Sequence, residues 1–163
     1  DKSYPQSAGD ISMSSASRAL YEKVLLDHAK NPRNYGEPDS YDKKIEGYNP
    51  LCGDRFTFYL KYNGNMIDKI YFTGQGCAIS KASASLLTAF LEKQPIEKAI
   101  ESIDRFIELL KTSPNTPVNE DQWGKLTAVA GVREFPIRIK CASLAWHSIL
   151  NALKGTEKVT TTE

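Results

Sequence analysis

Arg55-Phe56-Thr57-Phe58-Tyr59-Leu60-Lys61-Tyr62-Asn63-Gly64-Asn65-Met66-Ile67-Asp68-Lys69-Ile70-Tyr71-Phe72 is the stretch that decides the fold class. Phe56, Phe58, Leu60 and Tyr62 alternate with Arg55, Thr57, Tyr59 and Lys61. A period of two sends one set to a core face and the other toward water, which predicts a half-buried strand. Asn63-Gly64 follows at once, a dipeptide suited to the positive φ of a tight hairpin turn. A second strand is predicted from about Met66 to Phe72, and a short third one near Lys43–Gly47. The third lies in an extended connection over 31–50 that carries three prolines and two glycines.

Outward from the hairpin the period changes to that of helices. Upstream, Leu20, Val24, Leu25 and Ala29 recur at helical spacing until Asn31-Pro32 stops them. Downstream, Gly74-Gln75-Gly76-Cys77 reads as a flexible loop before a helix that starts near Ser80, with serine as its N-cap. Pro95 then opens a helix whose stripe is Ile96, Ile100, Ile103, Ile107 and Leu110. After an exposed loop over 111–120, a short helix is predicted around Trp123–Ala130. Phe135-Pro136 reads as a break, and a last helix spans about Cys141 to Leu153. Strands grouped before helices predict an α+β domain, a small antiparallel sheet of about three strands with helices packed on one face. The domain is expected over 18–154. Serine-rich residues 1–17 read as a disordered leader, with Met13 as a candidate native start, and 155–163 as a flexible tail.

Length and charge narrow the function. At 163 residues one domain is expected, large enough to fold without disulfides. Twenty-one basic against 20 acidic residues give a formal charge of +1, which argues against a partner with a phosphate backbone. No stretch without charge is as long as a membrane span, Ala82 to Leu91 being half that length, and no secretory signal is visible. These features predict a soluble, cytoplasmic protein with neither nucleic-acid nor membrane partners. The three cysteines, Cys52, Cys77 and Cys141, are an odd number and widely spaced, unlike a disulfide scaffold. Three inert core thiols, a metal site and a reactive thiol are the open readings.

Leu51-Cys52-Gly53-Asp54 is the informative element. Residues two apart on extended chain point the same way, so Cys52 and Asp54 can reach one ion. Cys77 falls at the start of a predicted helix, where the partial positive charge favours an anionic sulfur. Cys141, just after Arg138 and Lys140, is likewise placed at a helix start. Three thiolates and one carboxylate match a tetrahedral zinc set, and the carboxylate in place of a fourth cysteine or a histidine suits a site that exchanges a ligand. His28 reads as solvated at its helix end, His147 as a polar-face residue, and Trp123 and Trp146 as core or rim.

Four ordered motifs carry a family resemblance. They are Tyr21 with Asp27–Asn34, Asn49-Pro50-Leu51-Cys52-Gly53-Asp54, Gly74-Gln75-Gly76-Cys77-Ala78-Ile79-Ser80, and Arg138-Ile139-Lys140-Cys141-Ala142. With these the chain, from about Leu20 to Leu153, resembles the U-type iron–sulfur assembly proteins, the family of IscU and SufU. Two departures from the Isc pattern point toward the SufU branch: Lys140 stands where a histidine is usual, and Glu134-Phe135-Pro136-Ile137-Arg138 replaces a chaperone-binding Leu-Pro-Pro-Val-Lys. The 63 residues from Ala78 to Lys140 also leave room for the SufU-type insertion, over about Thr112–Gly131.

The resemblance implies a zinc-dependent sulfurtransferase that accepts persulfide sulfur from a SufS-type cysteine desulfurase. Zinc would be held by Cys52, Asp54, Cys77 and Cys141. Cys52 would accept the sulfur, with Arg138 beside it and a downstream sulfur acceptor or cluster scaffold as the next partner. The alternatives are a scaffold that binds iron or an iron–sulfur cluster through the same ligands, and a purely structural zinc module.

Overall fold

A computed structural model describes residues 15–155 and 159–162; most of the predicted leader, Met13 and part of the predicted tail lie outside them. Helix α1 covers Ser15–Lys30. It begins earlier than the apolar spacing indicates, because Ala16, Arg18 and Ala19 are strong helix formers that the spacing argument ignores. Strands β1 (Lys43–Asn49), β2 (Asp54–Asn63) and β3 (Met66–Gln75) form an antiparallel meander. The hairpin pairs Asn63 with Met66, so its turn residues are Gly64 and Asn65, one position later than expected. Only Gly64 has a positive φ there.

A fourth strand, β4 (Thr160–Thr161), lies parallel to β1 and makes the sheet mixed, in the order β3-β2-β1-β4. The sequence does not announce this strand: two residues carry no readable alternation, and backbone pairing with β1 places them. The outer edge of β3 is closed as well. Gly36 N–H donates to the Phe72 carbonyl, Phe72 N–H to the Asn34 carbonyl and Ile67 N–H to the Gln94 carbonyl, which leaves little open edge for another chain.

Helices α2 (Ala78–Leu91), α3 (Ile96–Leu110) and α6 (Pro136–Leu153) follow the sheet. Between α3 and α6 come the single turns α4 (Glu120–Trp123) and α5 (Thr127–Ala130), each continued by a 3-10 turn. The core is the inward side of the hairpin (Phe56, Phe58, Leu60, Ile70 and Phe72) covered by Leu87 and Leu91 of α2 and Trp146 and Ile149 of α6. Trp146 stacks on Phe106 of α3 with ring centroids 4.1 Å apart. Its indole N–H donates to Ser83 Oγ, which donates in turn to the Ala142 carbonyl, so α2 and α6 are tied at a fixed height.

Two helix starts differ from expectation. Cys77, not Ser80, is the N-cap of α2. Pro136 is the first residue of α6 and not a break, in keeping with the fit of proline's fixed φ to a first helical turn. Cys141 therefore lies inside the helix, in its second turn, and not at its start. His28 is buried at 4% exposure, with Nδ1 2.7 Å from Ser85 Oγ, contrary to the solvated reading. Among the described residues no helix is long and apolar enough to cross a membrane.

Candidate metal centre

The site forms where the open end of the meander meets α6. Ile45, Gly47 and Asn49 are the inward positions of β1. A Cβ on Gly47 would sit 2.2 Å from Ser148 Oγ and 3.2 Å from Leu144 Cδ1, so glycine is what lets β1 lie directly on α6. Leu144 and Ser148 continue the helix face of Cys141 by roughly one and two turns. Two residues beyond Gly47, the Asn49 amide thus reaches Cys141, Nδ2 to Sγ 3.6 Å. The chain then turns through Pro50–Gly53, closed by Gly53 N–H to the Asn49 carbonyl at 2.9 Å, with Gly53 at φ 73°. It re-enters the sheet at Asp54.

That turn places Cys52 Sγ 3.0 Å from Cys141 Sγ. One ligand atom each of Cys52, Asp54 and Cys141 lie within 4.8 Å of one another. Asp54 is completely buried; Oδ1 accepts the Cys77 N–H at 2.8 Å and Oδ2 the Asn49 amide at 3.3 Å. Cys77 stands outside the group of three but against it. Its sulfur accepts the Ser80 N–H at 3.4 Å, and it faces Cys141 closely enough to affect its ionisation. Burial, the hydrogen bond with Cys52, and the neighbouring Cys77 and Asp54 push the Cys141 thiol far up from its ordinary value.

These residues fit a cation. A completely buried carboxylate has no ion pair among the described residues, and thiols crowd against it. A Cβ on Gly76 would come within 2.6 Å of Asp54 Oδ1, so the carboxylate occupies space that a side chain there would take. Sulfur with one carboxylate oxygen suits zinc or iron better than magnesium or calcium. Cys52 is the exposed member, whereas Cys141 is 3% exposed.

The other residues singled out from the sequence fall farther off. Arg138, exposed in the first turn of α6, lays its guanidinium 4.5 Å over the Phe135 ring, and the structure does not bring it to the thiols. His147 is half-buried on α6, where burial and nearby Lys111 lower its pKa. Asn49, which touches both Asp54 and Cys141, is not among the ligands or catalytic residues expected from the sequence. The signal was present: a polar side chain on an inward position of β1, next to the cysteine turn.

The model of the NifU-like N terminal domain family matches residues 20–154. The chain belongs to that family. It is 36% identical over 135 residues to the iron-sulfur cluster assembly scaffold protein IscU of Streptococcus pyogenes serotype M1, covering 83% of each chain. It is also 36% identical over 130 residues to the zinc-dependent sulfurtransferase SufU of Bacillus subtilis (strain 168), covering 80% of this chain and 86% of the relative. Equal identity to both does not single out the SufU branch. The crystal structure of an iron-sulfur cluster assembly scaffold protein for the SUF system from Fervidobacterium islandicum AW-1 superposes with a TM-score of 0.75 at 28% identity, over 84% of this chain and 98% of that one.

Proposed function

We propose that this member of the family is a zinc-dependent sulfur carrier in iron–sulfur cluster biogenesis, accepting persulfide sulfur from a SufS-type cysteine desulfurase onto Cys52. The observation that carries this reading is the unequal exposure of the site: Asp54 and Cys141 are buried, and Cys52 is presented outward on a glycine turn. Cys52, Asp54, Cys77 and Cys141 would hold the zinc. When bound, zinc supplies the positive charge that keeps this cluster of thiols deprotonated near neutral pH.

The rest is done by the chain. The Asn49 amide and the Cys77 N–H hold the Asp54 carboxylate in one orientation. Leu51, 64% exposed, gives a partner apolar surface next to Cys52 in the chain, and Ile137, 65% exposed, lies about one helical turn before Cys141 on α6. In the transfer, the Cys52 thiolate attacks the terminal sulfur of the desulfurase persulfide. A bond forms between Cys52 Sγ and that sulfur, the persulfide S–S bond breaks, and the desulfurase cysteine leaves as thiolate. Electrons balance without an added oxidant or reductant. Arg138, on leaving Phe135, would stabilise an exposed Cys52 sulfur anion by about 1.5–3 kcal/mol, the usual worth of a charge-assisted bond.

The equal similarity to a scaffold protein supports a second reading, assembly of a cluster on the same ligands. Elemental analysis and a visible spectrum of protein purified without added metal separate the two. About one zinc per chain, no visible band, and persulfide on Cys52 that is lost in Cys52→Ala are expected. Iron with acid-labile sulfide would favour the scaffold, and sulfur acceptance by Cys52→Ala would overturn the role of Cys52.

A further inference from the structure

Two segments carry the candidate ligands toward each other, and one short strand touches both. β1 runs through Tyr48 and Asn49 into the Cys52 turn, and α6 runs through Lys140 into Cys141. β4 lies beside the end of β1, with Gly47 opposite Thr160 and Tyr48 opposite Thr161. The next residue, Thr162, donates its backbone N–H to the Tyr48 carbonyl at 3.2 Å and its hydroxyl to the Lys140 carbonyl at 3.3 Å. One residue thus grips the carbonyl just before Asn49 and the carbonyl just before Cys141. At the strand's other end the Asn151 amide donates to Thr160 Oγ1 at 2.9 Å, a second tie to α6.

These ties complement the contact of Gly47 with Leu144 and Ser148. β1 itself meets α6 at more than one position, Asn49 against Cys141 as well as Gly47; β4 is a second attachment, through a separate strand, that further limits the angle between them. The second attachment is polar. A groove of about 430 Å³ runs between Lys140, Ser143 and His147 on α6 and Thr160–Thr162, so strand and helix are joined here by hydrogen bonds across an opening and not by apolar packing.

We propose that Thr160–Thr162 is a strap that sets the separation between the Cys52 turn and Cys141, with Thr162 as a positioning residue for the candidate centre. The inference rests on the metal-centre reading for one of its two readouts only. In the full chain, Thr162→Pro removes both donors, Thr162→Val removes the hydroxyl alone, and Thr162→Ser keeps both.

The first readout is release of cobalt(II) to a chelator, followed by the sulfur-to-cobalt charge-transfer band. Release is expected to quicken about fivefold in Thr162→Val, the factor of one ordinary hydrogen bond, and about tenfold or more in Thr162→Pro, with Thr162→Ser like the parent. The second needs no metal: diamide oxidises Cys52 and Cys141, whose sulfurs are 3.0 Å apart, to a disulfide counted by mass spectrometry. Its rate is expected to fall in the same order while the melting temperature of the metal-free protein stays nearly constant. Parent-like release and oxidation in Thr162→Pro would overturn the strap, and so would changes that merely track a lowered melting temperature. If the parent gives no charge-transfer band, the metal-centre reading fails, and the disulfide rates still decide the strap.

Discussion

Near the second turn of α6 the protein buries Asp54 and Cys141 with no cation among the described residues; just before α6 it buries Arg133, 8% exposed, with no carboxylate. The two clusters are finished to different degrees. Arg133 directs its five N–H donors to five acceptors: Nε to the Ala130 carbonyl, Nη1 to Thr112 Oγ1 and the Ser113 carbonyl, and Nη2 to the carbonyls of Pro114 and Thr116. Nothing is left for a ligand to add. At Asp54 two neutral donors meet a full negative charge, and beside it two sulfurs crowd together at 3.0 Å. A buried charge surrounded by complete hydrogen bonding is architecture; one whose surroundings add metal-ligating sulfurs and no cation is where a counter-ion would fit. The contrast is what assigns structure to Arg133 and chemistry to the cysteines.

The largest expected effect lies on the finished side. Arg133→Leu leaves four carbonyls, that of Ala130 among them buried, and a hydroxyl without this donor, and a loss of about 3 kcal/mol in urea unfolding is expected. Metal bound per folded chain should stay at the parent value, because the cradle holds the 112–116 loop and no candidate ligand. Reduced stoichiometry in the folded variant would break the division between the two clusters. Gly47→Ala tests the junction itself. Its Cβ would lie 2.2 Å from Ser148 Oγ, and overpacking should cost about 1–3 kcal/mol and weaken metal binding. Adding Ser148→Ala removes the nearest clash, so the double variant should recover most of both losses. Equal stability of the single variant and the parent would show that β1 and α6 are not held by this contact.

Much of this is legible in the sequence. The alternation at 55–62 located β2, and the spacing Cys52-Gly53-Asp54 put two candidate ligands on one segment. What escaped had physical causes. Pro136 misleads because proline both ends and begins helices, and the first role hides Cys141's place inside α6. β4 escaped because two threonines have no period. The Arg133 cradle was invisible because its acceptors are mostly backbone carbonyls, which every residue has. Asn49 was readable as a polar interruption of an inward row, but only once β1 had been extended to include it.

Asp54→Asn sharpens the comparison from the unfinished side. The amide keeps an oxygen for the Cys77 N–H and removes the negative charge. Metal-free Asp54→Asn is therefore expected to be as stable as the parent or more so, by about 1 kcal/mol, because an uncompensated buried charge is lost. Its zinc or cobalt affinity should fall in parallel titrations. A metal-free variant clearly less stable than the parent would mean that the carboxylate is a finished structural group like Arg133.

His28 stands between the two clusters in kind. Nδ1 is paired with Ser85 Oγ, which also accepts the Arg33 N–H, while Nε2 is buried with no partner among the described residues. Burial, then the Arg33 charge, lowers its pKa, with Lys125 acting the same way and Asp27 opposing. The imidazolium would be a buried cation lacking the cradle that Arg133 has. The sign follows: the unfolded chain takes up the proton near the ordinary value of about 6.5 and the folded chain only at lower pH, so stability is full above that value and declines as pH falls below it, by at most about 1.4 kcal/mol per pH unit. Urea midpoints from pH 8 to 5 should therefore fall less steeply in His28→Gln than in the parent. Some slope should persist, because burial and Lys111 also lower His147. Identical slopes would show that the protonated ring finds a partner here, and that its buried nitrogen is as well provided for as the donors of Arg133.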